Sequence, residues 1–381
     1  MPSAKNNTIV SITGNSNDIL NTFFISNSIY ILNIDVKESI IVAFAFVGVV
    51  VGAGFATGQE IFQFFTSHGI YSIGGIFITG LILTLGGIFV LNTGFRLKSQ
   101  NHSESIRYYL HPTIAKLFDI ILTVFLFSLA IIMTAGGAST INESFGLPFW
   151  LSSFILVILI LITLFLKFDR LIAVLGGVTP FLVAVVVMIA VYYFITGDLN
   201  FSDVSQYSNQ NKSISPGWWF DAINYASLQI AAAFSFLTVM GGKLRYQSST
   251  IYGGLIGGII VSLLLLLINF GLVTEFNQIK EAALPSLLLA KQISPSIGII
   301  MSVIMVLVIY NTVVGLMYAF ASRFSRPFTK RYYILIVMMA IITFACTFVG
   351  FISLIGKVFP IMGLFGFILL IPVIYKGILR K

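Results

Sequence analysis

The sequence predicts an all-α polytopic membrane protein of about ten transmembrane helices, arranged as two inverted five-helix repeats with the first helix broken. Three observations carry this prediction. The apolar fraction is 58% against only 9% charged residues, where a soluble domain carries roughly 25% charged residues. Apolar runs of about 20 residues, enough to cross a hydrocarbon core of roughly 30 Å, recur along nearly the whole chain. Lys and Arg gather in the short connections between those runs rather than on one basic face, so the formal charge of +8 reflects membrane topology and not nucleic-acid binding.

The first 36 residues, rich in Asn, Ser and Ile, show neither a helical period nor an apolar run ending at a small-residue cleavage site. They read as a flexible tail ahead of a single transmembrane domain over 37–381. Hydropathy then places spans near 39–66, 73–95, 115–137, 148–166, 171–195, 217–241, 250–273, 294–322, 332–349 and 352–376. In lipid every backbone polar group must be satisfied within the segment, so these runs are helices. Spans 1 to 5 fill 39–195 and spans 6 to 10 fill 217–376. Because five is odd, the second block crosses in the opposite sense to the first, which is the plan of an inverted repeat.

Seventeen of the 21 Lys and Arg residues lie on one side of this layout, among them Lys37, Arg96, Lys98, Arg107, Lys116, Lys243, Arg245, Arg323 and Lys376. The opposite loops hold only Lys212, Lys280 and Lys291. The positive-inside rule therefore predicts cytoplasmic N- and C-termini in a multi-pass protein of the cell membrane. Trp218 and Trp219 fit an interfacial aromatic belt on the outer side.

Span 1 is the least regular. The run Gly52, Ala53, Gly54, Phe55, Ala56, Thr57, Gly58, Gln59, Glu60 sets three glycines and three polar residues where lipid favours Leu or Ile. Each glycine weakens a helix by roughly 1 kcal/mol relative to Ala. Counted from Ser39, Gly52 lies roughly 20 Å along the helix, slightly past the midplane. The run from Gly52 to Gly58 is thus predicted to be non-helical, and its freed carbonyls and amides to line a cavity. Two plainer readings stand beside this one: Gly54 and Gly58 form a small-xxx-small packing pair, and Thr57 with Glu60 fits a capping box that would start a new helix. The glycine spacing does not match a dinucleotide fingerprint and no strand precedes it, so no cofactor is expected.

The ten-span layout with this Gly-Ala-Gly interruption resembles the amino acid, polyamine and organocation transporter superfamily with the LeuT-type fold. The stretch VGVVVGAGFATGQEIFQF, from Val47 to Phe64, resembles the YkvI group of bacterial membrane proteins. The resemblance covers residues 37–378 and implies a secondary active transporter of a small amino-acid-like, zwitterionic or anionic solute. It also implies a substrate site built from the breaks of spans 1 and 6: Gly52, Ala53, Gly54, Phe55 and Thr57 with Ser227, Gln229 and Phe234. Span 6 departs from the pattern, because from Tyr225 it has no glycine until Gly241, which leaves a second break unsupported. The same resemblance implies a sodium site formed by carbonyls near Gly52 with Asn311 and Thr312 of span 8. Span 5 has no lysine of the kind that replaces sodium in proton-coupled relatives, so Na+ is expected ahead of H+ as coupling ion.

Ionisable residues inside spans are functional suspects. Asp119 follows Lys116 by about one helical turn, which predicts a local ion pair. Asp221 occupies the first turns of span 6, where the helix dipole favours an anion. Glu60 and Lys357 both lie on outer halves, and the LeuT-type resemblance implies that spans 1 and 10 carry an ion pair that helps shut the outer gate, here with the signs exchanged and the acid on span 1; the plainer reading has Glu60 capping its helix and Lys357 snorkelling to the interface. Enzyme chemistry is not expected, since His68, His102 and His111 lie on loops and no metal-binding His spacing exists. The single Cys346 has no disulfide partner in the chain. Expected partners are the lipid bilayer and a small solute, with a transporter-fold receptor as the alternative function.

Overall fold

The computed structural model describes residues 35–99, 102–165, 179–197, 201, 203–204, 216–325 and 329–379. Of the predicted tail over 1–36, residues 1–34 lie outside the described residues, as do the start of span 5 (171–178) and most of the outer connection between spans 5 and 6, while Val36 already belongs to the first helix. Within them the chain is all-α and contains no strand. Span 1 is built from three short helices, α1 (Val36–Val50), α2 (Ala53–Thr57) and α3 (Gln59–Phe64). Span 2 is α4 (Tyr71–Leu97), followed by the short α5 (His102–Tyr109) and by span 3, α6 (Pro112–Phe145). Spans 4, 5 and 6 are α7 (Phe149–Leu164), α8 (Thr179–Thr196) and α9 (Trp218–Lys243). Span 7 is α10 (Gln247–Thr274), followed by the short α11 (Phe276–Ile279) and α12 (Pro285–Ile293). Spans 8, 9 and 10 are α13 (Pro295–Phe324), α14 (Lys330–Thr347) and α15 (Phe351–Leu379).

Seven of these helices are long and apolar enough to cross a membrane, two shorter ones are apolar, and broken span 1 supplies a tenth crossing. Large apolar side chains such as Phe44, Phe77, Ile120, Phe181, Ile341 and Ile371 are exposed on the outer faces. That inverts the pattern of a soluble core and suits lipid.

Packing divides the spans into two groups. Spans 1, 2, 6 and 7 pack together, as do spans 3, 4, 8 and 9. Apolar surface gains little from leaving lipid, so such contacts rely on close approach and on buried hydrogen bonds. Both occur here. A methyl on Gly94 of span 2 would strike the Thr238 carbonyl of span 6, and one on Gly241 of span 6 would strike the Leu91 carbonyl of span 2. These two helices therefore touch backbone to backbone. In the second group, hydroxyl pairs bridge spans 3 and 8 (Ser144 to Ser302, 2.7 Å), spans 4 and 9 (Ser153 to Thr347, 2.8 Å) and spans 4 and 8 (Thr163 to Tyr310). Span 10 leans on span 6, where Ser227 Oγ donates to the Gly363 carbonyl and Asn224 Nδ2 donates to Pro360 O at 3.2 Å.

Candidate functional site

Span 1 is interrupted twice rather than once. The helical ladder of α1 ends at Val51, Gly52 is extended at φ −91°, ψ −163°, and a short helical stretch from Ala53 to Thr57 follows. Gly58 then adopts the left-handed conformation (φ +76°), which costs an ordinary L-residue roughly 1–2 kcal/mol. The prediction of a wholly non-helical run is therefore corrected: the middle five residues recover a helical turn because only Gly52 and Gly58 leave helical geometry. The capping box is not formed either. Thr57 Oγ1 donates backward to Gly54 O at 2.8 Å and accepts from Gln59 N at 3.3 Å, so Glu60 is not needed as a cap.

Glu60 instead folds back over Gly54. A methyl on Gly54 would fall on Glu60 Oε1, so the absent side chain is what makes room for the carboxylate. A methyl on Gly58 would fall on the Ser286 hydroxyl of α12. Both glycines do serve close approach, as the small-xxx-small reading held, but the partners are a folded-back acid and a loop helix rather than the face of another span.

The carboxylate opens onto a cavity of about 60 Å³ at the break, between the two groups of spans. Its walls are Gly52, Gly54 and Phe55 of span 1, Leu129 and Met133 of span 3, Gln229 and Ala232 of span 6, Thr312 of span 8 and Phe359 of span 10. Glu60 is 4% exposed and accepts a 3.3 Å hydrogen bond from Gln229 Nε2. It is the only ionisable residue lining this cavity among the described residues. A larger space of about 410 Å³ between spans 2 and 7 is walled by Ile73, Phe77, Leu81, Leu255, Ile259 and other apolar side chains. Facing lipid and nearly devoid of polar groups, it has little with which to orient a polar solute.

Of the residues named from sequence, the structure brings Gly52, Gly54, Phe55, Gln229, Thr312 and Glu60 to one cavity. Ala53 belongs to the same turn. Thr57 is buried and spends its hydroxyl on the backbone of the break. Ser227 faces span 10. Phe234 packs edge-on against Tyr109 of α5, with ring centres 6.1 Å apart, and does not line the cavity. Asn311 is half-buried and does not line the cavity, while Thr312 Oγ1 donates to Val308 O at 2.9 Å.

The expected ion pair of Glu60 with Lys357 is absent in this conformation. Lys357 is exposed on span 10, whereas Glu60 is buried against Gly54 and Gln229, so the two side chains point into different media. Asp119 pairs across helices with Arg323 of span 8 at 3.0 Å in place of the expected local pair with Lys116. Asp221 meets His68 at 2.8 Å, which ties the start of span 6 to the turn after span 1. Sequence reasoning missed Leu129, Met133 and Phe359. Apolar residues on apolar helices carry no signal of the face they present.

This arrangement is the LeuT-type fold. The chain superposes on the manganese transporter of Eremococcus coleocola, solved with an aromatic bis-isothiourea compound, with a TM-score of 0.53 and 14% identity over 86% of this chain and 76% of that one. On Mhp1 in its inward-facing conformation the TM-score is 0.52 at 13% identity, covering 86% and 72%. In sequence the chain is similar to two proteins of Bacillus subtilis (strain 168). With the uncharacterised protein YyaD it shares 24% identity over 336 residues, 88% of this chain and 95% of YyaD. With the uncharacterised membrane protein YkvI it shares 23% over 326 residues, 84% and 91%. No protein-family profile matches the chain.

Proposed function

We propose that the chain is a secondary active transporter that carries a small amino-acid-like solute by alternating access through the cavity at the break of span 1. The observation that carries this reading is the position of that cavity. It lies at the only doubly interrupted span among the described residues, at the seam between two separately packed groups of helices, and it holds a buried carboxylate and a carboxamide. A seam can open to either side without unpacking the groups on each side of it.

The cavity's present volume of about 60 Å³ is far below the roughly 300–1,000 Å³ of sites for drug-sized ligands. A solute of more than a few heavy atoms therefore enters only when the seam widens. An anionic solute would be set against Glu60, so a zwitterion, with its positive end toward that residue, is favoured over a pure anion. For sodium, the Gly52 carbonyl and Thr312 hydroxyl are suitable oxygens, but a hard cation takes about six. Sodium coupling needs Asn311 to turn inward.

The two blocks, 39–195 and 217–376, are taken as inverted repeats of one domain. In support, α5 lies between spans 2 and 3 as α12 lies between spans 7 and 8, and spans 2 with 6 pack as spans 7 with 1 do. With cytoplasmic termini, α5 lies on the inner side and α12 on the outer side.

Counterflow in liposomes reconstituted with the pure protein tests the reading. Vesicles loaded with an unlabelled amino-acid mixture should accumulate external labelled amino acid transiently and only when protein is present. Binding of the same amino acids without any exchange would instead make the chain a transporter-fold receptor.

A further inference from the structure

Glu60 poses a problem of charge. An ionised carboxylate held away from water costs several kcal/mol unless a cation or several donors compensate it. Here the carboxylate is 4% exposed, and its one hydrogen bond of defined geometry is a long one from Gln229. The elements packed against α3 bring no cation to it: His68, in the turn that follows α3, is paired with Asp221 at 2.8 Å. Span 6 contributes Tyr225, buried against Phe64 and Phe65. Span 7 contributes Asn269, which is occupied with Thr66 and Ser72. From α12 comes Ser286, while Lys291 of the same helix reaches away to the Glu143 carbonyl. Span 10 presents Phe359 to the cavity and Lys357 to the outside. The α2 stretch adds no titratable group.

We propose that Glu60 holds a proton while the cavity lacks a cationic solute and surrenders it when the ammonium group of an amine-bearing solute takes its place. The deepened reading rests on the cavity being the solute site. The exchange balances: the O–H bond of the carboxylic acid breaks, the proton leaves to water on the open side, and the ammonium ion supplies the positive charge that remains beside the carboxylate. After release, the emptied carboxylate takes a proton from the side on which the amine left and only then returns, so one amine crosses for each proton moved the opposite way, with no net charge transferred for a simple ammonium ion and one charge for a zwitterion.

The cavity is built for such a guest. An ammonium group has three donors, and the Glu60 carboxylate, the Gln229 carboxamide oxygen and the Thr312 hydroxyl are acceptors on three different helices. Phe55 and Phe359 add aromatic wall, which a cation also tolerates. Gly54 is required by the same design, since any side chain there would displace the carboxylate.

Infrared difference spectroscopy on the purified wild-type protein tests this directly. At neutral pH a carbonyl stretch of a protonated carboxylic acid should be present, be missing in Glu60→Gln, and return at a shifted frequency in Glu60→Asp. Titration with alkylammonium ions from methyl to butyl should abolish the band, and a pH-indicator dye in weakly buffered solution should report about one proton released per amine bound, whereas acetate should do neither. The assignment is overturned if the wild type lacks the band, if no amine in the series alters it, or if sodium removes it as effectively as the amines do. Counterflow that proceeds while the band ignores amines would keep transport and remove this assignment. Amine-driven proton release without counterflow would keep the site and remove transport.

Discussion

Spans 1 and 6 open the two five-span blocks, yet they are built differently. Span 1 leaves helical geometry at Gly52 and again at Gly58, while span 6 runs unbroken from Trp218 to Lys243. In span 6 the residues that line the cavity are Leu228, Gln229 and Ala232, good helix formers that leave no reason to unwind. The break in span 1 exposes backbone polar groups and lets an acid fold over Gly54. The intact helix of span 6 contributes only side chains, chiefly Gln229, and uses its other face to grip span 10 through Asn224 and Ser227. The pair thus divides the work, with the broken element carrying the acid and the unbroken one its hydrogen-bonding partner.

The largest test of that division is to take the left-handed turn from span 1. Gly58→Val forces a β-branched residue to φ +76° against Ser286, and a loss of about 2 kcal/mol is expected, read as a lower unfolding midpoint in detergent. A variant as stable as wild type would show that the second interruption is unnecessary. Next comes Gly54→Ala, whose methyl occupies the place of Glu60 Oε1. Amine binding by calorimetry should weaken about tenfold, equivalent to about 1.4 kcal/mol, with little change in the unfolding midpoint because a side chain can move where a backbone cannot.

Ser227→Ala probes the unbroken member. Removing the hydroxyl that Gly363 accepts should cost about 0.6 kcal/mol, the usual worth of an interhelical hydrogen bond in a membrane protein, and leave solute binding unchanged. A binding defect would return Ser227 to the substrate site that the family resemblance implied. The smallest effect belongs to Lys357→Met. An exposed residue with no bond to Glu60 should alter stability by less than about 0.5 kcal/mol, and double-mutant analysis with Glu60→Gln should show additivity. A coupling well above that error would mean that the gate pair forms in another conformation.

Much of this architecture was legible in the sequence because lipid imposes simple rules: length of apolar run, and helix as the only free-standing backbone solution. The break was legible for a local reason, the glycine density from Gly52 to Gly58. What a side chain on a regular helix faces was not. Ser227 and Gln229 are two residues apart and both polar, yet one meets span 10 and the other the cavity. Hydropathy cannot rank two such faces when both are buried. Glu60 was singled out for its depth in the membrane, but its partner was misassigned. The pairing with Lys357 assumed opposite charges on facing helices, whereas a missing side chain at Gly54 decided the direction.

The central claim is that the cavity beside broken span 1 opens to each side in turn. Leu129 of span 3 lines that cavity, and Leu129→Cys in a Cys346→Ser background places one thiol there. A membrane-impermeant maleimide applied to right-side-out vesicles and, separately, to inverted vesicles should label this cysteine from either side, and saturating amine should slow labelling from both. Labelling from one side only, unchanged by ligand, or no labelling from either, would contradict alternating access through this cavity.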